Sequence, residues 1–134
     1  MISPKLIKAS VIIPVYNNPH GLKKVLASLV EQDFPKDQYE IIVADNRSTD
    51  TSKDIAQEYG RNYPHLFKNV SEDNIQSSYA ARNRGIQIAR GEILAFTDSD
   101  CIPSESWLRE GCNALLKDNA SMIAGRIDFI FRNS

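Results

Sequence analysis

Short apolar runs alternate with amphipathic stretches along the chain. Val11, Ile12 and Ile13 form a β-branched run that ends at Pro14, the pattern of a buried strand. Asn18 suits a helix cap and Pro19 the first helical position. Leu22, Val25, Leu26, Leu29 and Val30 then recur at i, i+3, i+4, i+7 and i+8, which is one face of a helix. Residues 39–44 (YEIIVA) read as a second strand. Ser48, Thr49 and Asp50 open a second helix carrying Ile55, Ala56 and Tyr59, and Gly60 is placed to close it. Residues 66–70 make a weaker third strand. Ser77 or Ser78 caps a third helix reaching Ala89 and Arg90, with Gly91 as its stop. Residues 93–97 read as a fourth strand, and Ser104 caps a fourth helix with Trp107, Leu108, Cys112, Leu115 and Leu116. Residues 122–131 form a last extended run, interrupted by Gly125.

Strand and helix alternate throughout, which predicts an α/β fold: a mostly parallel, Rossmann-like sheet with helices on both faces. The first, second and fourth strands are nearly continuous apolar runs, as strands covered on both sides are. With 134 residues, 42% hydrophobic and 25% charged, the chain fits a single domain over residues 1–134. A net charge of −1 offers no field for nucleic acid. No run of about 18 apolar residues supplies a membrane span, and the first residues lack a signal-peptide core. A cytoplasmic location is expected, with peripheral attachment to a membrane left open. Cys101 and Cys112 have no metal-ligand spacing and read as free thiols.

Ligands of open parallel sheets bind beyond the carboxyl ends of strands. Three polar clusters follow such ends here: Pro14, Tyr16, Asn17 and Asn18; then Asp45, Asn46, Arg47 and Ser48; then Asp98, Ser99 and Asp100. No GxGxxG or Walker loop is present, so a bound phosphate would need another counter-charge. A divalent cation on one or two carboxylates is the usual one. The Asp98–Asp100 pair is weak by itself, since shuffling ten aspartates through 134 residues gives about 0.7 such pairs. Spacing alone leaves a metal site and an acidic turn equally open. His20 and His65 have no partner at ligand spacing and read as surface or capping residues. Trp107, at helical spacing from core positions, reads as packing rather than a sugar platform.

Four segments together carry a family resemblance: VIIPVYNN (11–18), EIIVADNRSTD (40–50), YAARNRGIQIARGEILAFTDSD (79–100) and IPSESWL (102–108). In this order and spacing the chain resembles the N-terminal part of a GT-A-fold, family 2 glycosyltransferase. The resemblance implies that Asp98 and Asp100 hold manganese or magnesium against the diphosphate of a nucleotide-sugar donor. It places Pro14, Tyr16 and Asn17 beside the nucleoside, Asp45 and Asn46 facing the base, and Arg82 and Ser99 on the donor. Many family members have two acidic residues where this chain has Asp45 and Asn46, so the base stays open. Arg84 and Arg90 read as solvated charges. The implied reaction is an inverting transfer of the sugar to an acceptor hydroxyl. Glu105, Glu110, Asp118 and Asp128 follow the pair, and none is singled out as the catalytic base.

Family members continue well beyond this length, so the domain is expected to be truncated at its C-terminus. The apolar run of Ile127, Phe129, Ile130 and Phe131 would then invite self-association. Two rivals remain: a non-catalytic nucleotide-sugar-binding module and a haloacid-dehalogenase-like phosphatase. The phosphatase expects its D-x-D after the first strand, whereas here it follows the fourth.

Overall fold

The computed structural model describes residues 6–117, 122–124 and 129–132. The elements in chain order are β1 (Ala9–Val15), α1 (Pro19–Val30), β2 (Tyr39–Asp45), α2 (Ser52–Asn62) and β3 (Phe67–Ser71). They continue with α3 (Ser78–Ile88), β4 (Ile93–Phe96), α4 (Trp107–Lys117), β5 (Met122–Ala124) and β6 (Phe129–Arg132). The sheet order is β3-β2-β1-β4-β6-β5. The first four are parallel, with Val11 paired to Ile41 on one side and Ala95 on the other. β6 runs antiparallel to β4 and to β5.

Alternation along the strands divides the core in two. Val11, Ile13, Ile41, Val43 and Ala95 face α1, α2 and α4, whose Leu22, Leu26, Ile55, Leu108 and Leu115 complete the larger cluster. Ile12, Ile42 and Leu94 point the other way, where Ile86 and Ile88 of α3 pack on them. The strands are apolar on both faces because both faces are covered. Trp107 packs against the larger cluster, as its helical spacing suggested. Among the described residues no helix is long and apolar enough to cross a membrane.

Several local expectations are corrected by long-range contacts. α2 continues past Gly60 to Asn62, and α3 stops at Ile88, short of Arg90 and Gly91. No described glycine has a positive φ, so neither glycine closes its helix in the left-handed way. Gly91 instead permits a close approach: a Cβ there would lie 2.6 Å from the Ser10 nitrogen in β1. α2 begins at Ser52, later than Ser48 to Asp50 suggested. Ser104 serves α4 through its carbonyl, which accepts from the Trp107 amide at 3.1 Å. The buried Gln32 supplies the side-chain cap, its Oε1 accepting from the Leu108 amide at 3.0 Å.

The last extended run is two strands rather than one. β6 lies between β4 and β5, so the backbone of Phe129–Arg132 is not a bare edge. The outer edge at this end of the sheet is β5. Gly125, Ile127, Asp118 and Asp128 lie outside the described residues.

Candidate functional site

In the order 3-2-1-4, the chain leaves β1 towards β2 on one side and reaches β4 on the other. That reversal is a topological switch point, where the loops after adjacent strands diverge. A cleft of about 340 Å³ opens there. The end of β1 contributes Pro14, the β1–α1 loop contributes Tyr16 and Asn18, the residue after β2 is Asn46, and α3 contributes Ser78 and Arg82. Asp98, Ser99 and Asp100 close the other side after β4. Seven residues singled out from sequence therefore meet: Pro14, Tyr16, Asn46, Arg82, Asp98, Ser99 and Asp100. Asn17 and Asp45 lie at the same sheet edge but are not among the lining residues.

Asn17 sits in the left-handed region with φ 46°. Its Oδ1 accepts from the Thr49 amide at 2.8 Å, and its own amide donates to Ser48 Oγ at 3.0 Å. It thus ties the first loop to the second. Asn18 is the cap the sequence suggested, its Oδ1 accepting from the Gly21 amide at 3.1 Å. Its Nδ2 also donates to Ser99 Oγ at 3.2 Å, linking α1 to the acidic turn. The turn comes so close that a Cβ on Gly21 would lie 2.4 Å from the Ser99 carbonyl oxygen. Gly21 and Ser78 were not found as site residues from sequence, whereas Asn18 stood in the polar cluster after the first strand. Only Ser78 left a signal, standing one helical turn before Arg82.

α3 delivers the cation of the cleft. Arg82 Nη2 donates to Asp98 Oδ1 at 2.8 Å, and Nη1 reaches Ser78 Oγ at 3.4 Å. The two side chains are 33% and 42% exposed, so the pair adds little to stability. Its consequence is positional: a fixed guanidinium stands beside two carboxylates. Asp98, Asp100 and Cys101 each place one potential donor atom within 4.8 Å of the others. The two carboxylates suit a hard cation such as magnesium or manganese, whereas the Cys101 thiol suits softer metals.

β2 ends at Asp45 and Asn46 follows it, two buried polar residues with different environments. Asp45 Oδ2 accepts from the Ser48 amide at 3.0 Å, across a turn in which Arg47 has φ 66°. Asp45 Oδ1 is buried and meets no hydrogen-bond partner among the described residues. Asn46 Nδ2 donates to the carbonyls of Glu72 at 3.0 Å and Ile75 at 2.8 Å. Gln76 Nε2 returns two bonds, to Asn46 O at 2.7 Å and to Oδ1 at 3.1 Å. Glu72 accepts from the amides of Asn74 and Ile75, which hold its carboxyl below the usual range, with Arg84 adding to the effect. His20 and His65 are exposed and line no part of the cleft.

This geometry meets an independent line of comparison. The profile of Glycosyl transferase family 2 matches residues 10–134. The chain belongs to that family. Glycosyltransferase AglE of Haloferax volcanii is 41% identical over 124 residues, covering 92% of this chain and 40% of its own length. The poly(ribitol-phosphate) beta-glucosyltransferase of Bacillus spizizenii is 44% identical over 103 residues, 76% of this chain and 16% of its own. Among solved structures, S. aureus TarS 1-349 in complex with UDP superposes with a TM-score of 0.75 at 32% identity, over 87% of this chain and 34% of that one. This family 2 chain therefore spans less than half the length of these relatives. The Asp98–Asp100 pair follows β4, and membership of family 2 removes the phosphatase alternative.

Proposed function

We propose that the chain is the donor-binding portion of an inverting, metal-dependent glycosyltransferase. It takes a nucleotide-diphosphate sugar and passes the sugar to an acceptor hydroxyl. The observation that carries this reading is the convergence of Arg82, Asp98, Ser99 and Asp100 at the switch point. Solved TarS structures with UDP and with UDP-GlcNAc support a nucleotide-sugar as the donor class.

The residues divide by chemistry. Asp98 and Asp100 would hold the divalent metal, manganese or magnesium, and the ion when bound supplies positive charge to the diphosphate. Arg82 stands where the leaving diphosphate gains charge, and a fixed guanidinium stabilises that charge without reorganising. Tyr16, 53% exposed on the cleft wall, offers a face to the nucleoside beside Pro14 and Asn17. The partnerless Asp45 Oδ1 would accept a base N–H. Among the described residues no carboxylate but Asp98 and Asp100 lines the cleft, so we assign no catalytic base.

The test is calorimetric titration of nucleoside diphosphates with and without manganese. Wild type is expected to bind more tightly with manganese, and Asp100→Asn to lose that gain while keeping its melting temperature. Binding that ignores manganese in both proteins would return the acidic pair to the role of a turn.

A further inference from the structure

The Asn46 amide has two N–H donors, and both are used on the loop between β3 and α3, by the Glu72 and Ile75 carbonyls. Two carbonyl partners also fix which end of the amide carries the nitrogen. Gln76 of the same loop answers with bonds to both oxygens of Asn46. Asn46 is only 3% exposed. An aspartate at position 46 would set carboxylate oxygens against two carbonyls and lose both bonds.

We infer that Asn46 and Gln76 form a reciprocal two-amide lock holding residues 72–77, the segment that runs into the cleft residues Ser78 and Arg82, so that Asn46 is a positioning residue and not the reader of the base. The lock sets the segment that leads into Ser78 and Arg82, and it leaves Asn46 no N–H for a ligand. Base discrimination then falls to other groups at this edge. This deepens the donor-binding reading and rests on it for its binding consequence, while the lock itself is testable without any ligand.

The experiment uses Gln76→Ala, Asn46→Asp, Asn46→Ala and the Gln76→Ala/Asn46→Ala double variant. Gln76 is exposed, so its variant is the one expected to fold without difficulty. Hydrogen exchange of the amides in 72–77 should quicken in Gln76→Ala while those of β1 and β2 keep their protection. Binding of UDP, GDP and ADP should weaken by a common factor of about three to ten, the worth of one or two neutral hydrogen bonds. The ratios among the three bases should stay as in wild type. The double variant should bind no more weakly than Asn46→Ala alone, because both changes break one unit.

Unchanged exchange in Gln76→Ala would overturn the lock whatever the binding data say. Base ratios that change in Asn46→Asp and not in Gln76→Ala would make Asn46 a direct reader and overturn the assignment. If wild type bound no nucleoside diphosphate, the donor-binding reading would fail, and exchange alone would decide the lock.

Discussion

β2 carries a buried carboxylate near each end, and the two are treated differently. Glu40, 1% exposed near the start, has both oxygens engaged. Its Oε2 accepts from Ser10 Oγ at 2.6 Å and the Arg90 amide at 2.7 Å, and its Oε1 meets Lys68 Nζ at 3.1 Å. Asp45, 4% exposed at the finish, leaves one oxygen with no partner among the described residues. A satisfied buried charge fixes structure, while an unsatisfied one is costly and suits a ligand that completes it. The cluster at the start fastens the α3–β4 corner to β1 and β2. Asp45, at the finish, stands at the carboxyl end of the strand, the sheet edge at which the cleft opens.

The sharpest way to break this comparison is to remove each carboxylate in turn. Glu40→Ala should cost about 2–4 kcal/mol of stability, read as a urea midpoint shift, because it strands the Ser10 hydroxyl and the Arg90 amide. The exposed ends of Lys68 and Arg90 recover hydration, which keeps the loss from being larger. Asp45→Ala should move stability by within about 1 kcal/mol, the worth of one turn bond. It should weaken binding of nucleoside and nucleoside diphosphate alike by roughly 10- to 150-fold, the worth of a hydrogen bond to a charged group. Equal stability losses in both variants would erase the distinction. A loss confined to the diphosphate would move Asp45 to the phosphate end of the cleft.

A matched pair of glycines sharpens it further. Gly91→Ala drives a methyl group against the backbone of β1 at Ser10, and Gly21→Ala drives one against the Ser99 carbonyl. Each overpacking should cost about 1–3 kcal/mol. The first loss should appear in thermal stability, and the second mainly in metal-dependent nucleotide affinity, since the Ser99 turn is what must yield.

The smallest expected effect is in acid. Burial would raise the Glu40 carboxyl, but the Arg90 amide, the Ser10 hydroxyl and Lys68 outweigh it and hold the carboxyl below its ordinary value of 4.5. Its contribution is therefore present above pH 4.5 and is lost as pH falls through the depressed folded value. Stability against pH should show a shallower acid limb in Glu40→Gln than in wild type. An identical limb would mean that Glu40 titrates as an ordinary surface acid.

The sequence by itself determined the alternation of strands and helices, because apolar periodicity states which face of each element leaves water. It also determined that the aspartate pair follows a buried strand, so Asp98, Ser99 and Asp100 were legible as a cluster, while Arg82 was added to it only by the family resemblance. Only the tertiary structure decided how the polar residues are shared out. Asn17 turned to Thr49, Asn18 reached Ser99 across 81 positions, Gln32 capped α4, and Asn46 was committed to the 72–76 loop. The burial of Glu40 within an apolar strand was equally hidden, since its partners Ser10, Lys68 and Arg90 belong to three other segments. Hydrophobic burial is non-directional and needs only the right period, so it can be read locally. A hydrogen bond needs a particular partner at a particular distance and angle, and that partner is chosen only when the strands have been brought side by side.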